Sequence, residues 1–107
     1  MPLFEELVRD LRQFTADRDW SKFHDPKNLA MLVASEAGEL LQLLRWVRNE
    51  EADAFVADAK NRPAIEAEIA DVTISVLLLA DRVGVDLGEA VKAKIARNGQ
   101  KYPPPAK

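Results

Sequence analysis

Between Leu29 and Arg48 apolar residues recur at helical spacing: Leu29, Leu32, Val33, Leu40, Leu43, Leu44 and Val47. This period predicts a long helix with one buried stripe. The stripe runs through position 36, which is a glutamate, and Glu39 follows roughly 60° round the helix. Ile65 to Val83 repeats the pattern. Its stripe of Ile65, Ile69, Val72, Val76, Leu79 and Val83 is flanked by Glu68 and Asp71, again three apart. A carboxylate taken out of water is costly unless it is paired, protonated or bound to a metal. Two helices that each offer an inward acidic pair therefore predict one shared cation site.

The rest of the pattern completes an all-α chain of four or five helices in a bundle. Pro2 to about Thr15 reads as a first helix, with Leu3, Leu7, Leu11 and Phe14 on one face and Phe4 and Val8 beside them. Asp17 to Asn28 reads as a loop carrying Trp20, Phe23 and His24, broken by Asp25-Pro26, with Asn28 placed to cap the next helix. The long helix is expected to end near Arg48. Asn49 to Lys60 reads as a short helix or a crossing loop anchored by Phe55 and Val56. Asn61-Arg62-Pro63 opens the following helix and Gly84 stops it. Asp86 to Glu89 resembles a capping box for a last helix that buries Leu87, Val91 and Ile95. The three prolines after Tyr102 exclude helix, so residues 1–103 are expected as one domain and 104–107 as a mobile tail. No repeat, glycine-rich phosphate loop or strand pattern is present.

Composition narrows the chemistry. With no cysteine in 107 residues, disulfides, thiolate metal sites and cysteine nucleophiles are all excluded. A net charge of −3 without a basic half argues against nucleic acid as partner. The apolar run Val76 to Ala80 is too short to span a bilayer, and the start lacks a signal-peptide pattern, so no membrane contact and a cytoplasmic location are expected. So apolar a helix also predicts a homo-oligomer, dimer or tetramer, that buries part of it.

If Glu36, Glu39, Glu68 and Asp71 converge, their repulsion calls for a hard divalent cation. All-oxygen ligation favours Mg²⁺ or Mn²⁺, and one histidine with no cysteine disfavours zinc. The last helix supplies the opposite sign: Lys94, Asn98 and Lys101 recur at i, i+4 and i+7, with Arg97 beside them and Tyr102 following. Asp71, Ser75 and Arg82 share a second face of the acidic helix. A metal with lysine and arginine at its rim suits a polyphosphate, and the composite reading is metal-assisted hydrolysis of a phosphoanhydride. The plainer reading of each part is a solvated acidic face and a basic helix end favoured by the macrodipole. Together those make a noncatalytic helical adaptor or oligomerisation module.

Phe23-His-Asp-Pro-Lys-Asn-Leu29, Ser35-Glu-Ala-Gly-Glu-Leu40, Trp46, Glu68-Ile-Ala-Asp71, Lys94-Ile-Ala-Arg-Asn98 and Lys101-Tyr-Pro103 occur in that order. In this the chain resembles the MazG-like all-α nucleoside triphosphate pyrophosphohydrolases, and among them the dCTP pyrophosphatase branch. The resemblance implies hydrolysis of a (deoxy)nucleoside triphosphate to the monophosphate and pyrophosphate, in nucleotide-pool housekeeping. It implies dCTP or a modified pyrimidine dNTP as substrate, with dUTP as the rival. By the same likeness Glu36, Glu39, Glu68 and Asp71 hold Mg²⁺. Lys94, Asn98 and Arg82, with Lys101 and Tyr102 of the exit motif, contact phosphates or sugar. His24, Trp46 and Trp20 help form the nucleotide pocket, and relatives form dimers or tetramers. Two positions depart from the common pattern. Ser35 stands where many members have a second glutamate, which the dCTP-type branch tolerates. Ser75 stands where that branch often has an aromatic.

Overall fold

The computed structural model describes residues 2–106; Met1 and Lys107, the outer ends of the expected domain and tail, lie outside them. Five helices form and, among the described residues, no strand: α1 (Pro2–Asp17), α2 (Pro26–Leu44), α3 (Ala52–Ala57), α4 (Arg62–Val83) and α5 (Leu87–Lys101). Single 3₁₀ turns at Ser21–Phe23 and Asn49–Glu51 lead into α2 and α3.

The caps explain the boundaries. Asp25, not Asn28, caps α2: its carboxylate accepts from the Asn28 N–H at 2.9 Å, and Pro26 occupies the first turn. Asn28 turns its side chain back, and its amide donates to the Phe23 carbonyl at 2.9 Å, which ties the loop to the helix. At the far end α2 stops at Leu44, earlier than expected, and Arg45 to Val47 close as a turn. No glycine or proline marks that stop. Gly84 ends α4 with φ 72°, the left-handed conformation that suits glycine. The Asp86 carboxylate caps α5 by accepting from the Glu89 N–H.

Packing centres on α2 against α4, with α1 laid on α4 and α3 closing one end. Leu29, Ile65, Leu77 and Ala80 form the fully buried apolar core. The predicted stripe of α2 holds: Leu32, Val33, Leu40, Leu43, Leu44 and Val47 are all half-buried beside buried Leu29. On α4 the inward face is Ile65, Glu68, Val72 and Ser75, whereas Ile69 and Val83 are 52% and 48% exposed. On α1 it is Phe4, Val8, Leu11 and Thr15, one residue round from the predicted Leu3, Leu7, Leu11, Phe14 line. Of the stripe expected to be buried on α5, Leu87 is half-buried, but Val91 and Ile95 are left exposed by the described residues. Val91 is 48% exposed and Ile95 64%, and every residue from Glu89 to Lys101 faces solvent.

This projection of α5 makes the chain open. Its radius of gyration is 17.0 Å, where a compact chain of this length has about 13 Å. Its accessible surface is 8435 Å², against about 6,000 Å² for a folded monomer of this mass. No helix is long and apolar enough to cross a membrane among the described residues.

Candidate active site

Glu36 and Glu39 lie on the α2 face that meets α4, and Glu68 lies on the α4 face that meets α2. Each offers one carboxylate oxygen to a group whose atoms all lie within 4.8 Å of one another. Glu36 and Glu68 are half-buried and Glu39 is exposed at the mouth. One oxygen of each inner acid, Glu36 Oε2 and Glu68 Oε2, is shielded from solvent and has no hydrogen-bond partner. Buried polar atoms are ordinarily satisfied, so two orphans in one acidic group need a reason. Burial raises the pKa of Glu36 above the ordinary carboxylate value, and the charges of Glu39, Asp71 and Glu68 push it further. Burial likewise raises Glu68, followed by the charges of Glu39 and Asp71. Asp71 is exposed and stands outside the close group of three, near enough for its charge to act on both inner acids. A hard cation coordinated by oxygen fits this donor set: it would satisfy both orphan oxygens and reverse the repulsion.

A second feature lies along the same two helices. A cavity of about 190 Å³ is lined by Arg12, Thr15, Ser21, His24, Leu29, Leu78, Asp81 and Arg82. Leu29 precedes Glu36 by two helical turns, a rise of about 10 Å. Two predicted substrate residues, His24 and Arg82, therefore meet at one cavity where α1, the loop and the start of α2 face the end of α4. Arg12 and Asp81 were not foreseen there. The Arg12 guanidinium grips both Asp81 oxygens, with Nε donating to Oδ2 at 2.9 Å, and joins α1 to α4. That hydrogen bond holds the Asp81 carboxyl below its ordinary range.

The remaining predicted residues stand apart. Trp46 is 83% exposed in the turn after α2, with the Arg45 guanidinium 4.9 Å from its ring centre. Trp20 is half-exposed and meets Phe14 edge to face at 5.6 Å. Lys94, Asn98, Lys101 and Tyr102 ride on the projecting α5 and its end, exposed and lining neither this cavity nor the larger one under α1. Ser75 is fully buried, and its hydroxyl donates to the Val72 carbonyl at 2.7 Å.

Comparison with known proteins fits this architecture. The MazG-like family model matches residues 32–107. The chain is 39% identical over 102 residues to mouse (Mus musculus) dCTP pyrophosphatase 1, covering 95% of this chain and 60% of that protein. The human (Homo sapiens) protein of the same name is 37% identical over 102 residues, with the same coverage. The chain thus spans about 60% of the length of these curated relatives. A crystal structure of a pyrophosphatase from Archaeoglobus fulgidus superposes with a TM-score of 0.87 at 40% identity, covering 94% of this chain and 92% of that one. An all-helical chain with acids from α2 and α4 in contact, matched over most of its length by that model, belongs to the MazG-like family.

Proposed function

We propose that this chain is a nucleotide pyrophosphohydrolase that cleaves a (deoxy)nucleoside triphosphate between the α- and β-phosphorus, giving the monophosphate and pyrophosphate. The observation that carries this reading is the pair of shielded, partnerless oxygens Glu36 Oε2 and Glu68 Oε2 beside Glu39. Glu36, Glu39 and Glu68, with Asp71 as the fourth acid, would hold Mg²⁺ or Mn²⁺. When bound, such an ion supplies positive charge against the phosphates and lowers the pKa of water. The chain's own residues do the rest. Arg82 offers a donor for phosphates or sugar, and His24, Trp46 and Trp20 help form the nucleotide pocket, the indoles offering flat faces for a base. Residues 1–103 act as one catalytic domain, with 104–107 as a tail.

The names of the curated relatives favour dCTP or a modified pyrimidine dNTP over dUTP. A panel of dNTPs with Mg²⁺, scored for pyrophosphate against orthophosphate, tests both chemistry and base. The expected result is pyrophosphate with dCTP turned over fastest. Orthophosphate alone, or no product from any nucleotide, would overturn the reading and favour the noncatalytic adaptor.

The same proposal includes a homo-oligomer, dimer or tetramer. The chain exposes about 2,400 Å² more than a compact monomer of its mass, by the scaling of surface with mass. An excess of that size is what a permanent interface covers. Lys94, Asn98 and Lys101 sit beside the uncovered Val91 and Ile95, so the helix that binds a second copy would also bring it phosphate donors. Light scattering on a sizing column is expected to give a multiple of the 12.0 kDa chain. A 12.0 kDa species at micromolar concentration would remove the oligomer from the proposal.

A further inference from the structure

The chain has four asparagines, and one of them, Asn98, is followed by glycine. Leu29, Glu50 and Arg62 follow the others. Glycine leaves its backbone nitrogen open to attack the preceding asparagine amide, an approach that a Cβ hinders. Helical structure ordinarily prevents the attack, because it holds each N–H on the carbonyl four residues back. At Asn98 that hold is weak. α5 has 15 residues, and every one from Glu89 to Lys101 faces solvent. A helix of that length without packing is marginal in water. Gly99 lowers helix propensity near its end, and Pro103 excludes a further turn. Ile95 is the last residue of the apolar stripe, so a second copy seated on that stripe leaves Asn98 at its edge. The side-chain amides of Asn28 and Asn61 donate to the Phe23 and Phe55 carbonyls. That of Asn98 is exposed.

We propose that Asn98-Gly99 is a self-modification site: when the end of α5 opens, Asn98 converts to a carboxylate, and the chain loses its hold on the nucleotide. Opening of an uncovered helix end is the local unfolding step. The Gly99 backbone nitrogen then attacks Asn98 Cγ, and a cyclic imide forms. The Cγ–Nδ2 bond breaks, and Nδ2 leaves as ammonia with the proton of the Gly99 amide. Water opens the ring. Cleavage of the new bond gives aspartate; cleavage of the original peptide bond gives isoaspartate, with the chain continued through the side chain. Water is the only co-reactant, and nothing is oxidised or reduced. Either product puts a negative charge between Lys94 and Lys101, where a donor to phosphate or sugar is wanted. Isoaspartate also lengthens the backbone and breaks the helical register. The loss of turnover rests on the pyrophosphohydrolase reading; the conversion itself does not.

The test incubates the natural chain and Gly99→Ala side by side in warm neutral buffer. Peptide mass mapping follows each asparagine, and dCTP turnover with Mg²⁺ is measured on the same samples. A Cβ on Gly99 would meet nothing within 4 Å, so alanine fits. Asn98 is expected to convert ahead of Asn28, Asn49 and Asn61, to a mixture of aspartate and isoaspartate, with turnover falling in step. Gly99→Ala should start with the same turnover and convert at least about fivefold more slowly, since alanine alone makes the open turn rarer by about that factor. Asn98→Asp, made directly, should raise KM about tenfold or more, the worth of a hydrogen bond to a charged group. Conversion of Asn98 no faster than of Asn49, or equally fast in Gly99→Ala, would overturn the modification site. Full turnover in Asn98→Asp would overturn its consequence. A fresh natural chain without turnover would instead count against the enzyme reading, and the mass map would still decide the chemistry at Asn98.

Discussion

Glu68→Gln lowers nucleotide turnover by at least about a hundredfold, since even groups that only orient a metal ligand are worth ten- to a hundredfold. It does so while leaving a chain that folds and melts a few degrees higher without metal. The two effects have one cause. Glu68 is half-buried beside Glu36 and Glu39, and its Oε2 has no partner. The substitution keeps the shape of the side chain and removes its charge. Without metal this relieves repulsion among acids that the fold crowds together. With metal it removes a ligand. Glu36→Gln should behave alike, because its Oε2 is in the same position. Glu66→Gln is the control: Glu66 lies two residues before Glu68 but is exposed, and it pairs with Arg62 in solvent. Exposed pairs of this kind contribute little, so it should change neither turnover nor melting appreciably. Steady-state turnover and differential scanning calorimetry on the three variants check the pattern. A Glu68→Gln chain that keeps full turnover would remove the carboxylate cluster from the mechanism. One that unfolds would show that the acid supports the fold instead.

The inward acids were legible in the sequence because a buried stripe interrupted by glutamate is a conflict between period and chemistry. The structure resolves it by placing Glu36 and Glu68 at the α2–α4 contact. The stop at Gly84 and the cap at Asp86 were legible for local reasons, a left-handed residue and a carboxylate three residues before an amide. Where two local signals compete, one is easily misassigned. Both Asp25 and Asn28 can cap, and the proline after Asp25 decides in its favour. Helical period predicts that a face is apolar but not which molecule covers it. Val91 and Ile95 carry the stripe of a buried helix, yet the described residues leave them 48% and 64% exposed. Arg12 and Asp81 left no signal at all, since each is an ordinary charge on an amphipathic helix and they are 69 positions apart.

Mg²⁺ should raise the melting temperature at neutral pH and reverse its dependence on pH. Without metal, Glu36 and Glu68 have folded-state pKa values above the ordinary 4.5. A carboxyl whose pKa is raised by folding opposes folding once it ionises. Below 4.5 both states are protonated and there is no penalty. The penalty grows as pH rises from there to the raised value, and it is complete above it. The metal-free chain should therefore lose stability from these groups as pH rises through that window. Asp81 carries the opposite sign, since Arg12 lowers its pKa from 3.8, but its contribution is lost only on acidification below that value. It leaves the upper window undisturbed. With Mg²⁺ the ionised acids become the favoured form, and stability should rise with pH across the same window. At a hundredfold excess over its Kd, a ligand specific for the folded state adds about 2.7 kcal/mol. For a chain of this length that is a shift of about 10 to 20 °C. Calorimetry at fixed protein concentration, with Mg²⁺ or with a chelator, should give two curves of opposite slope that converge toward acid pH. The Glu36→Gln, Glu68→Gln double variant should flatten both. Parallel curves for the natural chain would mean that the cation binds somewhere other than between α2 and α4.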